Sequence, residues 1–140
     1  MPISLVIEKY KVTNVDPTAY YISEFVTKDE EQSILSNIYS APKPKWTQLS
    51  NRRLQNWGGI PHNKGMIAEK LPLWLQQYLD KIHSLELMGG NKPNHVLVNE
   101  YTPGQDYVKG TTVIRDTRIS LTIRYVPKTT TFKINIGTGR

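Results

Sequence analysis

Arg118-Ile-Ser-Leu-Thr-Ile-Arg124 alternates without a break. Ile119, Leu121, Ile123 and Tyr125 point one way and Arg118, Ser120, Thr122 and Arg124 the other, as in a β-strand covered on one side. Six residues of extended chain put the two arginines on one face, roughly 20 Å apart at their Cα atoms. Such alternation ordinarily means a polar face turned to water. On the inner wall of a barrel, the same face would bring both guanidinium groups to one small dianion, because Arg pairs with carboxylates in a bidentate fork.

Upstream, His95-Val-Leu-Val-Asn-Glu-Tyr101 reads as a second strand, with Leu97, Asn99 and Tyr101 on one face. Pro72 opens a helix with Trp74, Tyr78 and Ile82 on one stripe and Leu75 and Leu79 beside it, and Gly89-Gly90 is expected to stop it. Earlier still, Thr27 and Glu30 form a capping box, so a helix is expected near 28–39, closed by Ala41-Pro-Lys-Pro44. Between the helices, 46–65 has no clean period and is expected to be a hairpin or long surface loop. The Thr-rich tail, 128–140, is expected to add one edge strand.

At 140 residues, with 38% hydrophobic residues and no cysteine, the chain fits one soluble domain without disulfides or thiolate metal sites. That suits the nucleus and cytoplasm. No apolar run is long enough to span a bilayer, and Glu8 near the N-terminus argues against a secretory signal. The net charge is +6. Two stretches lack acids, one holding Lys43, Lys45, Arg52, Arg53 and Lys64, the other following Asp116. Uncompensated basic surface attracts polyanions, nucleic acid first among them, although an ordinary solvated surface reads the same way.

Asn99-Glu-Tyr101-Thr-Pro-Gly104 resembles the Asn-x-Tyr-x-Pro-Gly segment of AlkB-type, iron- and 2-oxoglutarate-dependent dioxygenases, and Arg118 to Arg124 resembles their two-arginine strand. The block from Ala41 through Trp46 to Trp57-Gly-Gly59, with Leu71-Pro-x-Trp74 and Asn94 to Asn99, is similar to one branch of that family. The resemblance covers most of 18–104 and 110–128. It implies an α+β fold, a double-stranded β-helix (jelly-roll) with N-terminal helices packed against it. It also implies that Asn99, Tyr101, Arg118 and Arg124 face 2-oxoglutarate, Arg118 at the distal carboxylate and Arg124 near the keto-acid end. Ser120 stands where many members have Asn. The region before the barrel corresponds to a lid over the substrate nucleotide. There Lys45, Arg52 and Arg53 would hold phosphates, Trp46 or Trp57 would stack on a base, and Gln48, Gln55 or Asn56 would read edges. Both tryptophans also suit a role as core anchors.

The chain departs from the family at the metal. Fe(II) in this family needs a His-x-Asp pair soon after the Asn-x-Tyr strand and a later His. Only residues 102–117 separate Tyr101 from Arg118, and none is histidine. The histidines present, His62, His83 and His95, show no metal-ligand spacing. The expectation is a single truncated domain over 1–140: a helical and lid region over 18–94, remnant jelly-roll strands over 95–128, and a tail. A break near 105–110 removes the iron ligands and with them the oxygenase reaction. A non-catalytic nucleic-acid-binding module, or a splice product without a role of its own, are the alternatives.

Overall fold

The computed structural model describes residues 5–14, 17–103 and 116–130. Among the described residues, three α-helices, α1 (Leu5–Glu8), α2 (Lys28–Tyr39) and α3 (Leu73–His83), and a 3-10 turn at Lys43–Lys45 accompany six strands: β1 (Trp46–Gln48), β2 (Arg53–Trp57), β3 (Met66–Ile67), β4 (His95–Tyr101), β5 (Arg118–Arg124) and β6 (Thr129–Thr130). No helix among the described residues is long and apolar enough to cross a membrane.

The start of α2 follows from its cap. Thr27 Oγ1 accepts from the Glu30 amide at 3.1 Å, and Glu30 Oε1 accepts from the Thr27 amide at 3.0 Å. Two donors that the first helical turn leaves open are thereby satisfied. The helix α3 begins after Pro72 as its sequence requires, but it ends at His83, well before the glycine pair. The amides of Leu85 and Glu86 bond to carbonyls three residues back, and Glu86 turns left-handed with φ 56°. The chain thus unwinds through tight turns instead of running to Gly89.

Strands β1, β2, β4 and β5 form one antiparallel sheet in that order, and β3 pairs with β6 in parallel. The 46–65 stretch, expected as a hairpin or surface loop, is a hairpin whose second strand lies inside the sheet between β1 and β4. Within the Thr-rich tail the described strand is β6, and residues 131–140 lie outside the description. The expected break at 105–110 also falls outside it.

Helices cover one face of the four-stranded sheet. Ile34 and Ile38 from α2 and Leu75, Tyr78 and Leu79 from α3 bury Val96 and Val98 of β4, with Ile119, Leu121 and Ile123 of β5 at the margin. The alternation read from the sequence of β5 therefore has its apolar side on the helices. Gly58 allows the hairpin to leave the sheet at φ +90°, where a Cβ would stand 2.1 Å from the Asn94 carbonyl oxygen.

Candidate functional site

The register between β4 and β5 sets what stands beside what on the face away from the helices. Tyr101 is opposite Arg118, Asn99 opposite Ser120, Leu97 opposite Thr122 and His95 opposite Arg124. The two arginines thus stand at opposite ends of a two-strand platform with Asn99 between them. Leu54 of β2 is opposite Asn99 and Asn56 opposite Leu97, which widens the platform by one strand. Among the described residues that this register places on the face, none is acidic.

Several polar groups there are held by neighbours. The Arg118 guanidinium stacks on the Tyr101 ring, 4.7 Å from its centroid. Asn99, almost fully buried, accepts at Oδ1 from Nε of Arg52 at 2.9 Å. A guanidinium only donates, so the amide is turned with its NH2 away from Arg52. Arg124 Nε donates to Nδ1 of His95 at 3.0 Å, and His95 Nε2 lies 2.9 Å from Asn56 Oδ1. The same logic leaves the imidazole proton on Nε2. Burial, then the charge of Arg124, push the His95 pKa down to about 4, which keeps the ring neutral near neutral pH.

Sequence reasoning singled out Asn99, Tyr101, Arg118 and Arg124, and the sheet brings all four to one face. It did not identify Arg52 as the partner of Asn99 or His95 as the partner of Arg124. The signal for His95 was present, since the period of two already placed it on the face of Asn99.

The lid residues divide differently. Pairing of β1 with β2 and of β2 with β4 puts Trp46, Gln48, Arg53, Gln55 and Trp57 on the helix side, in line with Val96, Val98 and Glu100. Trp46 and Trp57 pack against the helical core, and Trp57 meets Trp74 edge-on with ring centroids 5.2 Å apart. Lys45 Nζ lies 4.1 Å over the Trp57 ring and the Arg53 guanidinium 4.0 Å over Trp46. Gln55 is fully buried; its NH2 donates to the Ile38 carbonyl at 3.0 Å and its oxygen accepts from Trp57 Nε1 at 2.9 Å. Gln48 donates to the carbonyls of Leu49 and Arg52 within the hairpin turn. Arg53 pairs with Glu100, and the Tyr39 hydroxyl donates to the same carboxylate at 2.8 Å. Among the lid residues, Arg52 hydrogen-bonds Asn99 and Asn56 hydrogen-bonds His95, both on the arginine face. A cleft of about 410 Å³ lies beside β5, lined by Ile34, Leu35 and Tyr39 of α2, Ile119 and Leu121 on the helix side, and Arg118.

The described residues do not fit an iron centre. Among the described residues, no three His, Cys, Asp or Glu side chains gather as metal ligands. The chain has three histidines. Both ring nitrogens of His95 are engaged, and Nδ1 of His62 accepts from the Lys64 amide at 3.0 Å.

No protein-family model matches the chain. A "Probable RNA/DNA demethylase ALKBH6" from Danio rerio is 59% identical over 99 residues, which are 71% of this chain and 42% of that protein. An uncharacterized protein of Acanthamoeba polyphaga mimivirus is 30% identical over 89 residues, 60% of this chain and 40% of the relative. The chain spans less than half the length of either relative it matches.

Proposed function

The chain belongs to the AlkB-like family, and from that premise we propose that it is a shortened form of an iron- and 2-oxoglutarate-dependent nucleic-acid demethylase that performs no turnover itself. The observation that carries this reading is the register of β4 and β5. It sets Asn99 and Tyr101 on one face with Arg118 and Arg124, which supports reading them as an anion platform, and only residues 102–117, none of them histidine, connect the strands. In this reading the four-stranded sheet and its helices are the remaining part of a double-stranded β-helix.

In the parent family, bound iron with 2-oxoglutarate would supply the oxidative removal of an N-alkyl group. With no histidine in 102–117 to supply the family's ligand pair, this chain's residues would do the binding part alone. Arg118 and Arg124 take the two ends of the dicarboxylate, Asn99 donates from its NH2, and Tyr101 walls the Arg118 end. Two charged forks give orientation, but without chelation to a metal the hold is weak. Metal titration tests the reading. A stoichiometric Fe(II) or Mn(II) site formed in the presence of 2-oxoglutarate would contradict it, and metal binding no tighter than that of an unfolded control supports it.

The name of the zebrafish relative also supports nucleic acid as partner, and we propose the nucleus and cytoplasm as its location. A non-catalytic binding role draws on the acid-free stretch around Lys43, Lys45 and Lys64. A salt-dependent gel shift would support it, and no shift at low salt would remove it.

A further inference from the structure

Three arginines of the sheet have side-chain partners of contrasting charge. Arg53, on the helix side, is paired with the Glu100 carboxylate, so its charge is cancelled where it stands. Arg52 and Arg124, directed to the opposite face, are held by neutral acceptors, the amide oxygen of Asn99 and Nδ1 of His95. A carboxylate would fix an arginine equally well but would neutralise it. A neutral acceptor fixes the side chain and leaves its positive charge for a ligand.

His95 is built for this task. It is fully buried beneath the platform, and Asn56 holds Nε2. The lone pair of Nδ1 is thereby aimed at the one nitrogen of Arg124 that lies on the chain side of its fork. We propose that His95 is a positioning residue of the anion site, fixing Arg124 through Nε so that its two terminal nitrogens are presented to a carboxylate of a small dicarboxylic acid. Ordering the arginine before the ligand arrives removes part of the side-chain entropy that binding otherwise costs. The ring stays an acceptor across the neutral range because burial and Arg124 both disfavour its protonation. This inference rests on the reading of the arginine face as the 2-oxoglutarate site.

Nitrogen-detected NMR of the imidazole and guanidinium groups tests it, with 2-oxoglutarate as the probe. The unmodified chain should show His95 with Nδ1 unprotonated and Nε2 protonated. Its Arg124 Nε–H should exchange slowly with water and shift saturably as 2-oxoglutarate is added. His95→Gln keeps one acceptor and one donor and should retain the slow exchange. His95→Phe has no acceptor; it should lose that protection and bind 2-oxoglutarate about tenfold more weakly, the loss of one hydrogen bond to a charged group. A His95 protonated at Nδ1 overturns the proposal in the unmodified protein, even if His95→Phe does not fold. So does a His95→Phe chain that binds 2-oxoglutarate as well as the original. A protected Arg124 that never responds to 2-oxoglutarate overturns instead the cosubstrate reading, and reduces the His95 contact to a structural one.

Discussion

Arg52 Nε donates to Asn99 Oδ1 at 2.9 Å, tying the turn of the first hairpin to the middle of β4. The bond fixes the Asn99 amide with its oxygen towards Arg52. It also joins the segment that carries the lid residues to the platform that carries the arginines.

Arg52→Ala should leave the nearly buried Asn99 oxygen without its donor. The expected cost is about 1 to 3 kcal/mol in urea unfolding, with Arg52→Lys recovering part of it. Wild-type stability of the alanine variant would mean that the contact contributes nothing.

Glu100 is the hub on the helix side. The hydrogen bond from Arg53 leads the causes holding its carboxyl below the ordinary carboxylate range. Burial, then the hydrogen bond and charge of Glu100, push the Tyr39 pKa up to about 12. Because 48% of Tyr39 remains exposed, the Glu100 contact is the firmer cause. A raised tyrosine pKa contributes stability below pH 10 that is lost as pH climbs towards 12. The lowered carboxyl contributes above the ordinary carboxylate range and is lost as pH falls through its folded value. Glu100→Gln should bring the Tyr39 titration, followed by ultraviolet absorbance, back towards its ordinary value. It should cost about 3 kcal/mol, the low end for a broken buried pair because Arg53 is a third exposed. An unmoved Tyr39 titration would refute the assignment.

His95 adds an acid-side signature of the same sign as the carboxyl's, at higher pH. Its folded pKa, about 4, lies below the unfolded 6.5, so between those values the unfolded chain binds more protons. Stability should fall as pH drops from 6.5 to 4, by up to about 3 kcal/mol. Guanidinium unfolding of the protein and of His95→Gln over that range separates this contribution from that of the carboxylates. Identical slopes for the two chains would show that His95 titrates normally.

Gly58 cannot be replaced at low cost. With φ at +90° and the Asn94 carbonyl oxygen 2.1 Å from the site of a Cβ, Gly58→Ala must move backbone. The expected result is loss of cooperative thermal unfolding, or a midpoint lowered by several degrees. An unchanged midpoint would contradict the close approach of this turn to β4.

The sequence made some of this legible and hid the rest for identifiable reasons. The faces of β4 and β5 were readable because aliphatic and polar residues alternate with period two. The start of α2 was readable because Thr27 and Glu30 carry the cap in their own side chains. The faces of β2 were not. Its helix-side residues are Arg53, Gln55 and Trp57, where an ion pair and a doubly bonded amide stand in place of aliphatic side chains, so no apolar alternation marks the strand. The sheet order depends on contacts remote in sequence, such as Arg53 with Glu100, and local pattern carries no trace of them. The end of α3 was misplaced because i→i+3 turns and a left-handed Glu86 close it before any glycine is reached.

The central claim is that both halves of a 2-oxoglutarate platform remain while the iron reaction is gone. Fe(II)-dependent release of succinate from 2-oxoglutarate by the purified chain, with and without a methylated oligonucleotide, tests it most directly. The account predicts succinate at the level of iron and buffer alone, unchanged by Arg118→Ala. Succinate above that background, abolished by Arg118→Ala or by an iron chelator, would contradict it.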